Sequence, residues 1–367
     1  MAASRSRPGS ESSPSHGVLD INAHLTTRRS RMTYHQRFPS HPSIMQQRFK
    51  VPVSARTLGG ATLTIAALTL TACGGDGGDS ATATVTSMQV AATKYGTPAL
   101  VTIVGTHLGN LNLQAPGCKN VTRLTAAPTA SSDTTAYFQC TPSGAYTSTI
   151  SAISNGGTVG SQPLNVPAPI VTMTVTGGPS GSPVNGTIVF NLKGDVAPIT
   201  VDNFLAYVNS GTSPTNGFYV GTIFHRVVDS VDPLNHPEYA VIQGGTYGAA
   251  TSGTLPAPKT GTFAPIALET GGGNNVQWTA AMARSSDPNS ATSGFFFNVK
   301  NDTAAFDTSS GPGYAVFADV SASSAILTQI AAIAQGGTSV CPTLVGINDG
   351  SCVPVPNVTI TSAVQTQ

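Results

Sequence analysis

The chain has 367 residues, of which 9% are charged and 40% hydrophobic, with 39 glycines and 26 prolines. A charged fraction far below the ~25% usual in soluble domains excludes a coiled coil, a charged disordered tail and a nucleic-acid module. The net charge of +1 hides a polarity: nine of the 17 basic residues but only two of the 16 acidic ones precede residue 73, which leaves −6 on the remainder.

The basic head ends with Arg48, Lys50 and Arg56, and an uncharged run from Leu58 to Ala72 follows. That run is too short and too rich in threonine for a membrane helix of ~20 apolar residues, but it fits the apolar segment of an export signal. It closes on Leu70-Thr71-Ala72-Cys73. These four residues resemble the lipobox of bacterial lipoproteins, which implies a lipid on the Cys73 thiol. Residues 1–72 are therefore expected to be a leader and signal peptide with the true start near Met45, and the glycine-rich stretch 73–80 a flexible tether. The expected location is the bacterial cell envelope, lipid-anchored at the outer membrane and facing the periplasm. With Cys73 so assigned, Cys118, Cys140, Cys341 and Cys352 remain, an even number in an exported chain, which favours disulfides. Of the three possible pairings, Cys118–Cys140 and Cys341–Cys352 are preferred because each stays within one predicted domain. No C-x-x-C is present and histidine is scarce after residue 73, so neither metal nor cofactor is expected.

From 81 to 166 short alternating strands such as Ala99-Leu-Val-Thr-Ile-Val-Gly-Thr106 and Thr135-Ala-Tyr-Phe-Gln-Cys140 are separated by Gly and Pro turns, a pattern that predicts a β-sandwich. The stretch resembles the immunoglobulin-like modules of bacterial surface proteins, which implies a spacer or partner-binding role. Residues 167–170, with Pro167-Ala-Pro169, read as a linker to a second domain over 171–367. There, Val201, Phe204, Leu205 and Val208 recur at helical spacing behind a proline and before Gly211, predicting one helix. Ile326, Leu327, Ile330 and Ile333 predict a second, over Ser323 to Gln335. Everything else alternates, so the fold class is mainly β: a sandwich followed by a closed barrel capped by two helices.

The order of segments in the second domain is informative. Gly186-Thr-Ile-Val-Phe-Asn-Leu192, Ala197-Pro-Ile-Thr-Val-Asp-Asn-Phe204, Gly221-Thr-Ile-Phe-His-Arg-Val-Val228 and Val241-Ile-Gln-Gly-Gly245 come first. Ala280-Ala-Met-Ala-Arg284, Asn289 to Val299 and Tyr314-Ala-Val-Phe317 follow. Together they resemble the cyclophilin-type peptidyl-prolyl cis-trans isomerases of the bacterial branch, over about 171–367. The resemblance implies a cyclophilin barrel, proline-containing polypeptide clients, a monomer, and no cofactor. It also implies roles: Arg226, Gln243 and Phe296 as catalytic, and Val241, Ala283, Arg284, Phe306 and Tyr314 as substrate-binding. Phe306 stands either for the family's pocket aromatic or for the leucine beside it.

The chemistry suits these residue types. Rotating an X–Pro bond breaks amide resonance, and needs a dry pocket for the proline ring and a fixed donor favouring the twisted bond over the planar one. A guanidinium is permanently charged and addresses two atoms at once. Only three arginines follow residue 73, and two of them, Arg226 and Arg284, lie in these motifs. His225 is read as structural, since isomerisation moves no obligatory proton, and Phe295 and Phe297 as core on the face opposite Phe296. Three features depart from the family. Gly294 replaces a glutamine, which is expected to leave space beside Phe296; Ala240 replaces a phenylalanine, with Tyr239 as its candidate substitute; and the segment 229–239 is long. The main reading is an isomerase for exported proteins. The alternatives are a low-activity binding module for proline-containing segments and an adhesive surface protein led by its first domain.

Overall fold

The computed structural model describes residues 81–228, 239–249, 256–337, 341–342 and 352–367. The expected leader, Cys73, the tether and the long segment 229–238 lie outside the described residues.

Seven strands come first: β1 (Thr84–Val90), β2 (Ala99–Thr106), β3 (Asn112–Gln114), β4 (Cys118–Arg123), β5 (Thr135–Pro142), β6 (Thr147–Ser154) and β7 (Gly157–Asn165). They form two antiparallel sheets, in the orders β1-β2-β5-β4 and β3-β6-β7. Alternation places Val101 and Ile103 of β2, Ala136 and Phe138 of β5, and Ile150 and Ala152 of β6 in a shared buried core. A disulfide joins Cys118 to Cys140, tying β4 to β5.

The remaining strands are β8 (Ile170–Gly177), β9 (Val184–Leu192), β10 (Thr222–Val228), β11 (Val241–Gly248), β12 (Thr279–Met282), β13 (Phe295–Asn298), β14 (Val316–Asp319) and β15 (Val358–Gln365). They close into a barrel in the order β10-β11-β13-β12-β14-β9-β8-β15. Phe190, Phe295, Phe297 and Phe317 meet inside it, and Phe204 of α1 (Pro198–Val208) packs on Phe190 and Phe317 from one end. Pro198 pre-sets the first turn of α1, and the Glu269 carboxylate accepts from the Ile199 and Thr200 amides at 3.1 and 2.6 Å, answering donors that the helix leaves open. The helix stops three residues short of Gly211, with the Asn209 amide turned back onto the Leu205 carbonyl. The second expected helix is α3 (Ser324–Ala332), continued by one tighter turn to Gly336. A third, α2 (Thr303–Phe306), is too short to leave a periodic trace in sequence.

Residues 167–169 connect the sheets to the barrel, yet the two are not merely strung together. Tyr95 donates its hydroxyl to the Gly194 carbonyl at 3.0 Å and accepts from the Gly144 amide. Tyr146 donates to the Leu192 carbonyl at 2.9 Å and accepts from the Gly194 amide at 2.7 Å. Burial, followed by the neighbouring Asp195 charge, pushes the Tyr146 phenol up to about 12, so it stays a donor at any physiological pH. Lys119 pairs with Asp202 of α1 at 2.6 Å, and Ser143 donates to the same carboxylate.

Candidate active site

The barrel wall carries two separate apolar populations. Its inside is filled by the phenylalanines above. On its outside Val228, Val241, Ala281, Phe296 and Val316 form a second buried cluster, with Tyr239, Ala283, Phe306 and Tyr314 packed against it. The alternation of β13 sets the two apart: Phe295 and Phe297 face in, and Phe296 faces out.

Register aligns the chemistry. Arg226 of β10 pairs with Gln243 of β11, Gln243 with Phe296 of β13, and Phe296 with Ala281 of β12. One row across four neighbouring strands thus runs from a guanidinium through an amide to an aromatic ring and a methyl group. A bulge makes this possible. Phe224 opposes Gly244 and Arg226 opposes Gln243, so two steps on β10 match one on β11 and His225 is the extra residue. In a regular strand Phe224 and Arg226 would share a face. Here Phe224 enters the barrel core while Arg226 reaches the outer cluster. Gly245, at φ +81°, lets β11 pass under Phe295, where a Cβ would come within 2.8 Å of the ring.

Around Phe296 two rings stand edge to face, to it and to each other. Phe306 lies 5.3 Å away, Tyr314 5.4 Å, and the last two are 5.2 Å from each other. Tyr239 extends this wall, 5.0 Å from Phe306, and its hydroxyl accepts from Nη2 of Arg226 at 2.6 Å. The guanidinium carbon sits 5.3 Å from the Tyr239 ring centre. Arg284 bonds to the protein's own backbone, donating to the carbonyls of Gly313 and Ser285, and lies 4.4 Å over the ring of Tyr314. It therefore braces Tyr314, a task beyond the substrate contact that the resemblance implies. Val241 is buried in the floor, and Ala283 lines the edge with its amide on Gly294.

One expectation changes in three dimensions and one is met. The position of Gly294 is not vacant: a Cβ there would meet Oγ1 of Thr246 at 2.7 Å and Cβ of Ala283 at 3.4 Å. Any side chain at 294 therefore requires Thr246 or the strand to shift. At Ala240 the missing ring is made up by its neighbour, since Tyr239 joins the outer cluster.

Sequence reasoning did not single out Asp302. It is fully buried, and its Oδ1 accepts from the Ala240 amide at 3.1 Å while its own carbonyl accepts from Ala305 and Phe306. It thereby links the start of β11 to the turn that carries Phe306. Burial pushes its carboxyl up to about 7. No motif reveals this, because Asp302 and Ala240 are 62 residues apart in sequence. His225 is buried against Tyr247, rings 4.6 Å apart, and burial first, then the Arg226 charge, brings it down to about 4. A neutral, enclosed imidazole agrees with its structural reading.

Residues 170–364 match the family described as cyclophilin type peptidyl-prolyl cis-trans isomerase. A peptidyl-prolyl cis-trans isomerase of Streptomyces antibioticus is 39% identical over 182 residues, which cover 48% of this chain and 92% of that one. Peptidyl-prolyl cis-trans isomerase B of Escherichia coli is 39% identical over 156 residues, 41% of this chain and 82% of that one. Among solved structures, a cyclophilin type isomerase of Cryptosporidium parvum, in the presence of the dipeptide Ala-Pro, is 20% identical with a TM-score of 0.35, covering 54% of this chain and 99% of that one. With more than half its length in the family's own region, the chain belongs to the cyclophilin-type peptidyl-prolyl cis-trans isomerases.

Proposed function

We propose that the chain accelerates X–Pro rotation in exported proteins by differential binding at this row of residues. The observation that carries the reading is the register that sets Arg226, Gln243, Phe296 and Ala281 side by side on one face. The uncatalysed exchange takes tens to hundreds of seconds, because a partial double bond must be broken. Phe296, Val241, Phe306 and Tyr314 receive the proline ring and hold water away. The Arg226 guanidinium donates toward the twisted imide, whose nitrogen has become pyramidal and gained a lone pair, and Gln243 holds the carbonyl of the residue ahead of it. The planar ground state offers no such lone pair, so the stabilisation is selective for the twisted state. A lipid on Cys73 and a short tether would keep this groove at the envelope, where unfolded exported chains arrive.

The test is isomerisation of an X–Pro tetrapeptide by the full chain and by Arg226→Ala, followed by NMR exchange so that no coupling protease intervenes. We expect acceleration by the parent chain and a loss of at least about tenfold in the variant, in keeping with the removal of one preorganised charged donor. Equal rates would remove Arg226 from the mechanism. Intact mass of envelope-extracted protein tests the anchor, and an N-terminus other than a lipidated Cys73 would exclude it. Ala240 and Gly294 are the departures that favour a low-turnover binding module, and the ring of Tyr239 in the outer cluster, which makes up for Ala240, favours the isomerase.

A further inference from the structure

We propose that Tyr239 is a positioning residue for the isomerisation: its hydroxyl fixes the Arg226 guanidinium over the groove while its ring supplies the wall that Ala240 lacks. The proposal rests on the reading of Arg226 just given.

Arginine has a long stem, and ordering it costs much of its rotamer freedom. A donor that must meet one developing lone pair gains from being ordered before substrate arrives. Two contacts from one side chain do this here. The Tyr239 hydroxyl accepts from Nη2 at 2.6 Å, and the same ring lies 5.3 Å from the guanidinium carbon. The ring is anchored in turn on Phe306, 5.0 Å away. The backbone beneath it is also fastened, because the next amide, that of Ala240, is held by the buried Asp302 carboxyl. A polar tip therefore addresses the guanidinium while an apolar body lines the proline site. Loss of the tip and loss of the body have separable kinetic consequences.

The experiment compares the full-length parent chain with Tyr239→Phe, Tyr239→Ala, Arg226→Ala and the double variant Arg226→Ala/Tyr239→Phe, on an X–Pro tetrapeptide by NMR exchange over a range of peptide concentrations. Tyr239→Phe is expected to lower kcat about three- to tenfold, the range of one ordinary net hydrogen bond, with KM within about twofold. Tyr239→Ala is expected also to raise KM about fivefold or more, because it removes the wall. In the Arg226→Ala background, Tyr239→Phe should have no further effect, since the tyrosine acts through the arginine. Full kcat in Tyr239→Phe overturns the proposal, and so does an equal loss with and without Arg226. If Tyr239→Ala does not fold, the phenylalanine variants still decide, for they keep the ring. Arg226→Ala at the parent rate is a different failure: it refutes the arginine reading itself, whatever Tyr239→Phe does.

Discussion

Restoring the family glutamine at 294 is the most direct way to ask whether the groove is repacked or eroded. From sequence, Gly294→Gln fills a gap and should raise activity. The structure predicts the reverse, because the new Cβ would lie 2.7 Å from Oγ1 of Thr246 and 3.4 Å from Cβ of Ala283. The second distance is ordinary contact, whereas the first is closer than real Cβ atoms come, so Thr246 or the strand must move. Overpacking of this kind costs about 1–3 kcal/mol. Gly294 immediately precedes β13, which carries Phe296, so the displacement is delivered to the floor of the groove. Gly294→Gln alone should therefore lower the unfolding free energy from urea titration by that amount and reduce kcat/KM. Removing the obstructing hydroxyl in Thr246→Ala/Gly294→Gln should recover most of both, which gives a coupling energy of at least about 1 kcal/mol in a double-mutant cycle. A single Gly294→Gln variant as stable as the parent and faster would refute the reasoning. It would mean that position 294 is open after all.

The titration of two buried groups opposes itself. Between pH 4 and 6.5 the native Asp302 keeps a proton that the unfolded chain has released, from an ordinary 3.8 to about 7, so its contribution to stability falls as pH rises. Over the same range native His225 refuses a proton that the unfolded chain takes up at its ordinary 6.5, so its contribution rises with pH. Asp302→Asn should convert a nearly flat urea midpoint between pH 4.5 and 6 into one that climbs with pH, and an unchanged profile would show that Asp302 is ionised throughout. Tyr146→Phe strips a donor from the Leu192 carbonyl and an acceptor from the Gly194 amide, and should cost about 1–3 kcal/mol by thermal melt, with no change in KM for a short peptide. Phe296→Ala, which removes the ring on which both Phe306 and Tyr314 rest, should raise KM for X–Pro peptides at least about tenfold while the chain remains folded, checked by circular dichroism.

The barrel and its two longer helices were legible because they rest on local periodicity: Val201, Phe204, Leu205 and Val208 on a helix stripe, and Phe295 and Phe297 against Phe296 on a strand. The site residues were legible only through the order of several motifs. Taken singly, Phe-His-Arg gives a parity argument that fails, for it places Arg226 on the same face as Phe224. The bulge at His225 depends on pairing with β11, and pairing is a long-range property that no window of sequence contains. The same holds for Asp302 and Ala240, and for Tyr95 and Tyr146, whose partners at Gly144, Leu192 and Gly194 lie 46 to 99 residues away. At Ala240 the substitute, Tyr239, was named from sequence, but at Gly294 the departure was visible and its surroundings were not. A missing side chain reads as empty space until its neighbours are known.

These points share one physical basis. The outer groove consists of side chains that would be exposed on an ordinary barrel wall, and an apolar patch in water gains by collapsing. Deleting volume there leaves the remaining rings with an unfilled gap, which costs lost packing. Tyr239 beside Ala240 returns a ring to the outer cluster, and Thr246 stands hard against Gly294. The groove is therefore held open as a shape rather than as a fixed list of residues, with Arg226 set at its edge by the bulge and bonded to the Tyr239 phenol.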